Sequence, residues 1–132
     1  MKSLYSACVL FSAVLILVFV DFFMLKSLLD YTEHELSDIP SSLTELENLD
    51  KKEKVRIAEK LENVEKKWQK KETFLGFSLK HNVAREFTGY IIPAISYFKS
   101  EEYPEFLASL LSAKDTAKHI RYDEDLKIGN LF

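Results

Sequence analysis

Between Leu4 and Val20 the chain reads LYSACVLFSAVLILVFV, 17 residues without a charge, and after Asp21 the apolar run resumes as Phe22-Phe23-Met24-Leu25. A helix rises about 1.5 Å per residue and the hydrocarbon core of a bilayer is ~30 Å thick, so roughly 20 residues cross it. Residues 1–25 are therefore read as a membrane anchor, with Leu4, Val9, Phe11, Leu15, Leu17, Phe19 and Phe22 as anchor residues and the lipid bilayer as the first partner.

Two processing signals share this appearance. A cleaved secretory signal also opens with a cation, here Lys2, but its apolar region is ~7–15 residues long and ends in a small-x-small site. This run ends Phe19-Val20-Asp21-Phe22-Phe23-Met24-Leu25-Lys26, with no small residue before Ser27. A lipoprotein leader places its apolar core before the cysteine, whereas here the core follows Cys8. The expectation is an uncleaved signal anchor with the single cysteine buried in the span. Lys2 and the α-amino group on one side and Lys26 on the other set orientation weakly. The short leader and long following domain point to N-inside, with the C-terminal domain extracytoplasmic at the cell membrane.

Beyond the anchor remain about 105 residues, enough for one modest domain. The whole chain has three Gly and three Pro, too few turn signals for many short strands, so the soluble part is read as all-α. The expected architecture is a transmembrane helix continuing into a small antiparallel bundle of about four helices. Its divisions are an acidic juxtamembrane helical segment at 26–50, a helical bundle at 51–121 and a C-terminal tail at 122–132. A net charge of −3 does not call for nucleic acid, but it is unevenly placed. From Asp30 to Asp50 there are seven carboxylates and no Lys or Arg, whereas Lys51 to Lys71 holds nine cations against four carboxylates. The second block reads either as a patch for anionic lipid or wall polymer, or as the solvated face of a helix beside an acidic neighbour.

Leu25, Leu28, Leu29, Thr32, Leu36 and Ile39 keep three-four spacing, so the anchor is expected to run outward as one helix, from about Leu4 to about Ser37. Pro40 ends it near Asp38. Ser42 with Glu45, and Asp50 with Glu53, form candidate capping boxes, the first opening a short helix through Leu43, Leu46 and Leu49. The clearest stripe is Ala58, Leu61, Val64 or Glu65, Trp68 and Leu75, with a break at Gly76 and Ser78. The next is Leu79, Val83, Phe87, Tyr90, Ile91, Ala94 and Phe98, with Pro93 inside it and a kink expected against the Gly89 carbonyl. Ser100 is expected to cap a last helix with Pro104 in its first turn. Its stripe is Tyr103, Phe106, Leu107, Leu110, Leu111, Lys114 and Ala117, ending near His119-Ile120. In the tail, Asp123-Glu124-Asp125 reads as exposed, and Leu126, Ile128, Leu131 and Phe132 as able to dock on the bundle.

Residues that could carry chemistry are sparse. Glu33-His34-Glu35 with Asp30 and Asp38 is the densest group of metal-ligand residue types; Asp30, His34 and Asp38 share a helix face at four-residue steps, part of a metal site at most, and no HExxH or cysteine pair is present. His81 beside Arg85 and His119 beside Lys118 stand in no triad spacing, and there is no Gly-rich phosphate loop. Lys66, Lys67, Lys70 and Lys71 flank Trp68, but the tryptophan lies on the apolar stripe, so the group does not form a nucleic-acid patch. The expectation is no catalytic residue, no metal and no cofactor. Eleven aromatics between Trp68 and Phe132 read as bundle core or, on a functional view, as a ligand box.

The layout resembles a family of short Gram-positive bacterial proteins known as domain of unknown function 4363. The resemblance rests on the anchor, the acidic first helix, Leu61-x-x-Val64-x-x-x-Trp68, His81 thirteen residues on, the His119-Ile120 pair, and the ending Asn130-Leu131-Phe132. Trp68, His81, His119, Asn130 and Phe132 from this layout, together with Pro93 from the helix stripe, are read as interaction or structural residues. Where members carry an Asp-His step followed by acids, this chain has Lys80-His81-Asn82-Val83-Ala84-Arg85, which argues against an acid-base or metal role there. The resemblance implies no established activity. It implies an accessory subunit of another integral membrane protein, with a homo-oligomer also open. The alternative is a ligand-sensing or cell-wall-polymer-binding domain, which predicts a concave pocket lined by Tyr90, Tyr97 or Tyr103 with polar ends.

Overall fold

A computed structural model describes residues 1–73 and 81–131. The break read at Gly76 and Ser78, the stripe positions Leu75 and Leu79, and Phe132 lie outside the described residues, as do the side chains of His81, Ile128 and Leu131. The elements are α1 (Lys2–Ser37), α2 (Leu43–Glu47), α3 (Lys51–Thr73), α4 (His81–Lys99) and α5 (Tyr103–Leu131). The fold is an all-α bundle with a long apolar helix at its N-terminus. α1 passes through Asp21 to Lys26 without a break, as the spacing predicts.

One periodicity builds the core. The inward residues alternate steps of four and three on α1 (Leu25, Leu29, Thr32, Leu36), continued by Ile39 just past its end, and on α3 (Ile57, Leu61, Val64, Trp68, Lys71). The same alternation appears on α4 (Ala84, Phe87, Ile91, Ala94, Phe98) and on α5 (Phe106, Leu110, Ala113, Ala117, Ile120, Glu124). A mean step of 3.5 keeps each stripe facing its neighbours along nearly antiparallel helices, as in coiled-coil-like bundles. Each long helix packs on two others, in the order α1, α3, α4, α5 around the bundle.

Ion pairs fix the directions. Lys71 meets Asp21, and Lys60 meets Asp38 and Glu35, so α3 runs back down α1. Arg85 to Glu72 at 3.0 Å and Lys99 to Glu62 turn α4 up again. Arg121 reaches Asp30 at 2.7 Å and Glu33 at 3.3 Å, bringing α5 down beside α1. At the upper end Ile39 and Leu46 are buried over the core. Ser42 Oγ accepts the Glu45 amide at 3.2 Å and Asp50 Oδ1 accepts the Glu53 amide at 2.8 Å, the caps expected for α2 and α3.

Several expectations are corrected. α5 does not end at His119-Ile120 but continues to Leu131, so residues 122–131 are helix, and within them Glu124 is buried at 7% exposure, not exposed. Leu111 is 67% exposed and Tyr90 37%, because a strict seven-residue stripe is narrower than the broad face read from the sequence. Leu43 is exposed and Leu49 half-buried, leaving Leu46 as the buried residue of α2. Ser100 does not cap α5. Glu101 adopts φ 59°, the Glu102 amide donates to the Tyr97 carbonyl at 2.9 Å and the Glu101 amide to Phe98 at 3.1 Å. This is a Schellman turn closing α4, and the Glu102 carbonyl, accepting from the Phe106 amide at 2.9 Å, opens α5. Pro104 falls in that first turn, as expected. α4 continues through Pro93, which is half-buried and off the inward stripe, with Gly89 one turn back exposed.

Candidate functional site at the base of the bundle

From Lys2 to Val20 every side chain of α1 is exposed, and burial starts at Asp21 and Phe22 and is complete at Leu25. The 17 uncharged residues cover about 25 Å of helix, just short of a ~30 Å hydrocarbon core. α1 is thus long and apolar enough to cross a bilayer, and in that placement Asp21 to Met24 fall at the membrane boundary.

At that level the heptad positions turn ionic. Lys71 occupies the last inward position of α3 and Glu124 an inward position of α5, where the spacing otherwise places Leu, Trp or Ile. The Lys71 ammonium donates to Asp21 Oδ1, with the two side chains only 6% and 12% exposed. A carboxylate at the edge of an apolar span is costly when unpaired, and the returning α3 supplies its counter-charge.

One turn above, Trp68 is fully buried and stacked on Phe87, ring centroids 4.1 Å apart. Its indole Nε1–H donates to Thr32 Oγ1 at 2.8 Å, and the Thr32 hydroxyl donates on to the Leu28 carbonyl at 2.7 Å. The network satisfies every polar atom of the pair and locks α3 onto α1. The ammonium of Lys67 lies 3.7 Å from the centre of the Tyr31 ring. Burial, and then the charge of Glu35, push the Tyr31 hydroxyl pKa up. Between α1 and α3, Tyr31, Lys67, Lys70 and Lys71 bound a groove of about 580 Å³ with Val20, Phe23 and Met24 on its lower wall.

The remaining candidates are scattered. Asp30 and Asp38 are engaged by Arg121 and by Lys60 and Arg56, and His34 is exposed; among the described residues no three His, Cys, Asp or Glu converge. His119 is exposed, its Nδ1 2.8 Å from the Asp115 carbonyl oxygen. With Tyr90, Ser112 and Asp123 it lines an open groove of about 300 Å³ between α4 and α5. Tyr97 and Tyr103 pack against the core instead. Asn130 is exposed, and Leu4, Val9, Phe11, Leu15, Leu17 and Phe19 stand bare along the span. Sequence reading treated Lys71 as surface charge and missed its pairing with Asp21. The signal was available in the spacing, since Val64, Trp68 and Lys71 continue the inward alternation.

The family comparison matches residues 23–131 to the family described as Domain of unknown function (DUF4363), and the chain belongs to that family. The match begins at Phe23, so it spans the base and the bundle and omits most of the apolar run. No curated protein and no solved structure matches.

Proposed function

We propose that this member of the DUF4363 family is a single-pass, uncleaved, membrane-anchored helical protein with an extracytoplasmic bundle, acting as a non-enzymatic accessory subunit of a larger integral membrane protein. The observation that carries the reading is the unbroken passage of α1 from its exposed apolar half into the bundle, with Asp21 and Lys71 pinning the joint. A simple tether needs only an apolar span and tolerates a flexible joint. A stiff joint holds the bundle at a set height and rotation over the bilayer, which serves a partner whose own position the bilayer fixes.

The test is photocrosslinking in native membranes, with a benzoyl-phenylalanine at Leu15 in the span and another at exposed Leu111 on α5. Both are expected to give an adduct with the same multi-pass membrane protein. Adducts with lipid alone, or only with a second copy of this chain, overturn the subunit reading. A cysteine introduced at exposed Ser41 is expected to react with an impermeant maleimide on intact cells. The groove at Tyr90 and His119 favours the second reading, a ligand-sensing domain. That reading expects Tyr90→Ala and His119→Ala to abolish a response while leaving the crosslinks in place.

A further inference from the structure

We propose that the groove between α1 and α3 at the base of the bundle binds an anionic phospholipid, its headgroup on Lys67 and Lys70 and an acyl chain along Val20, Phe23 and Met24. The inference rests on the anchored reading above but needs no protein partner.

Charge is the first argument. Three lysines line the groove, and Asp21 neutralises only Lys71. Among the described residues no carboxylate pairs with Lys67 or Lys70, whereas Lys54 and Lys60, higher on α3, are held by Glu101 and by Asp38 with Glu35. Lys67 is instead steered over the Tyr31 ring, which positions the cation without cancelling it. Two uncancelled cations thus stand together at the level where lipid phosphates lie.

The second argument is what lies beneath them. Phe23 and Met24 are exposed on the lower wall, continuous with the bare apolar surface of α1. Lysine stems are themselves apolar and place their ammonium groups at the headgroup level while covering such a wall. A soluble anion would satisfy the cations and leave Val20, Phe23 and Met24 in water; a phospholipid satisfies both halves of the groove. The anionic headgroup is preferred to a zwitterionic one because a choline or ethanolamine cation would bring its own positive charge against the lysines.

The experiment uses the full-length protein in nanodiscs of phosphatidylcholine doped with phosphatidylglycerol, reading by native mass spectrometry which lipid stays bound on release. Phosphatidylglycerol is expected to be retained over phosphatidylcholine. In Lys67→Gln/Lys70→Gln retention falls by about fivefold for each lysine, the scale of one cation near an anionic surface. Lys67→Arg/Lys70→Arg is expected to keep it, and Lys51→Gln/Lys52→Gln, at the opposite end of α3, to leave it unchanged. Equal retention of the two lipids, or a Gln variant indistinguishable from the parent, overturns the proposal. Displacement of the lipid by soluble glycerol phosphate overturns it too, in favour of a soluble-anion site. A chain that does not enter nanodiscs at all fails the anchored reading instead, so the two failures are separable.

Discussion

Asp21 is the residue on which the joint between span and bundle turns. Its carboxylate sits at the end of the apolar run and its Lys71 partner is almost fully enclosed. Removing one member of a buried pair strands the other charge, so Asp21→Asn is expected to destabilise the bundle by about 3–5 kcal/mol. Asp21→Asn/Lys71→Met, which removes the stranded ammonium, should recover most of that loss, because apolar replacement of a buried pair is often neutral. Denaturation of the full-length protein in micelles measures both; a single variant as stable as the parent would mean the pair is solvated. Asp21 is visible in the sequence as an interruption of an apolar run. Its partner is not, because it lies 50 positions away and only the antiparallel return of α3 brings it back.

Among the elements, the turn from α4 to α5 carries a backbone cost. Glu101 holds the left-handed position that closes the Schellman turn, at φ 59°, where an L-residue pays about 1–2 kcal/mol and glycine does not. Its side chain meets Lys54 at 2.6 Å, an exposed contact that contributes little. Glu101→Gly is therefore expected to raise the melting temperature, with a gain of about 1 kcal/mol; a fall would show that the Lys54 contact outweighs the strain. Between elements, the Lys60 hydrogen bond, then its charge, and Arg56 hold the Asp38 carboxyl below the usual carboxylate range, and Lys99 does the same for Glu62. A carboxyl lowered on folding contributes stability above its unfolded pKa and loses it as pH falls through the folded one. Stability should therefore decline as pH drops below about 4, where unfolded carboxylates begin to bind protons first. Asp38→Asn/Glu62→Gln should flatten that decline in urea titrations run at successive pH values. The helices themselves, their caps at Ser42 and Asp50, and the single long α1 were legible because three-four spacing and capping are local signals. The ends were not: Leu111 and Tyr90 fall just outside a stripe only seven-residue packing defines, and nothing local marks that α5 continues past Ile120. The Schellman turn escaped because its left-handed residue is Glu, not Gly.

At the scale of the whole molecule, the Trp68 and Thr32 bond and the Asp21 and Lys71 pair tie the bundle to the same helix that forms the apolar span. The base groove could not be seen in the sequence, since it joins the end of the span to the C-terminal end of α3; only its lysines stood out. Rigidity of this kind makes a geometric prediction. One alanine inserted between Leu17 and Val18 lies below the joint, so it leaves Asp21, Lys71 and the bundle core in register. It turns the lower span by about 100° and lifts the bundle by about 1.5 Å. Bundle stability should be unchanged, while the crosslink from Leu15 to a membrane partner is lost and that from Leu111 weakens. A seven-alanine insertion returns the span to within about 20° of its first orientation but raises the bundle by about 10 Å. It should restore the span contact and abolish the bundle contact. Retention of both crosslinks in both variants would mean that the two halves engage the partner independently, and that α1 serves as a tether and not as a lever.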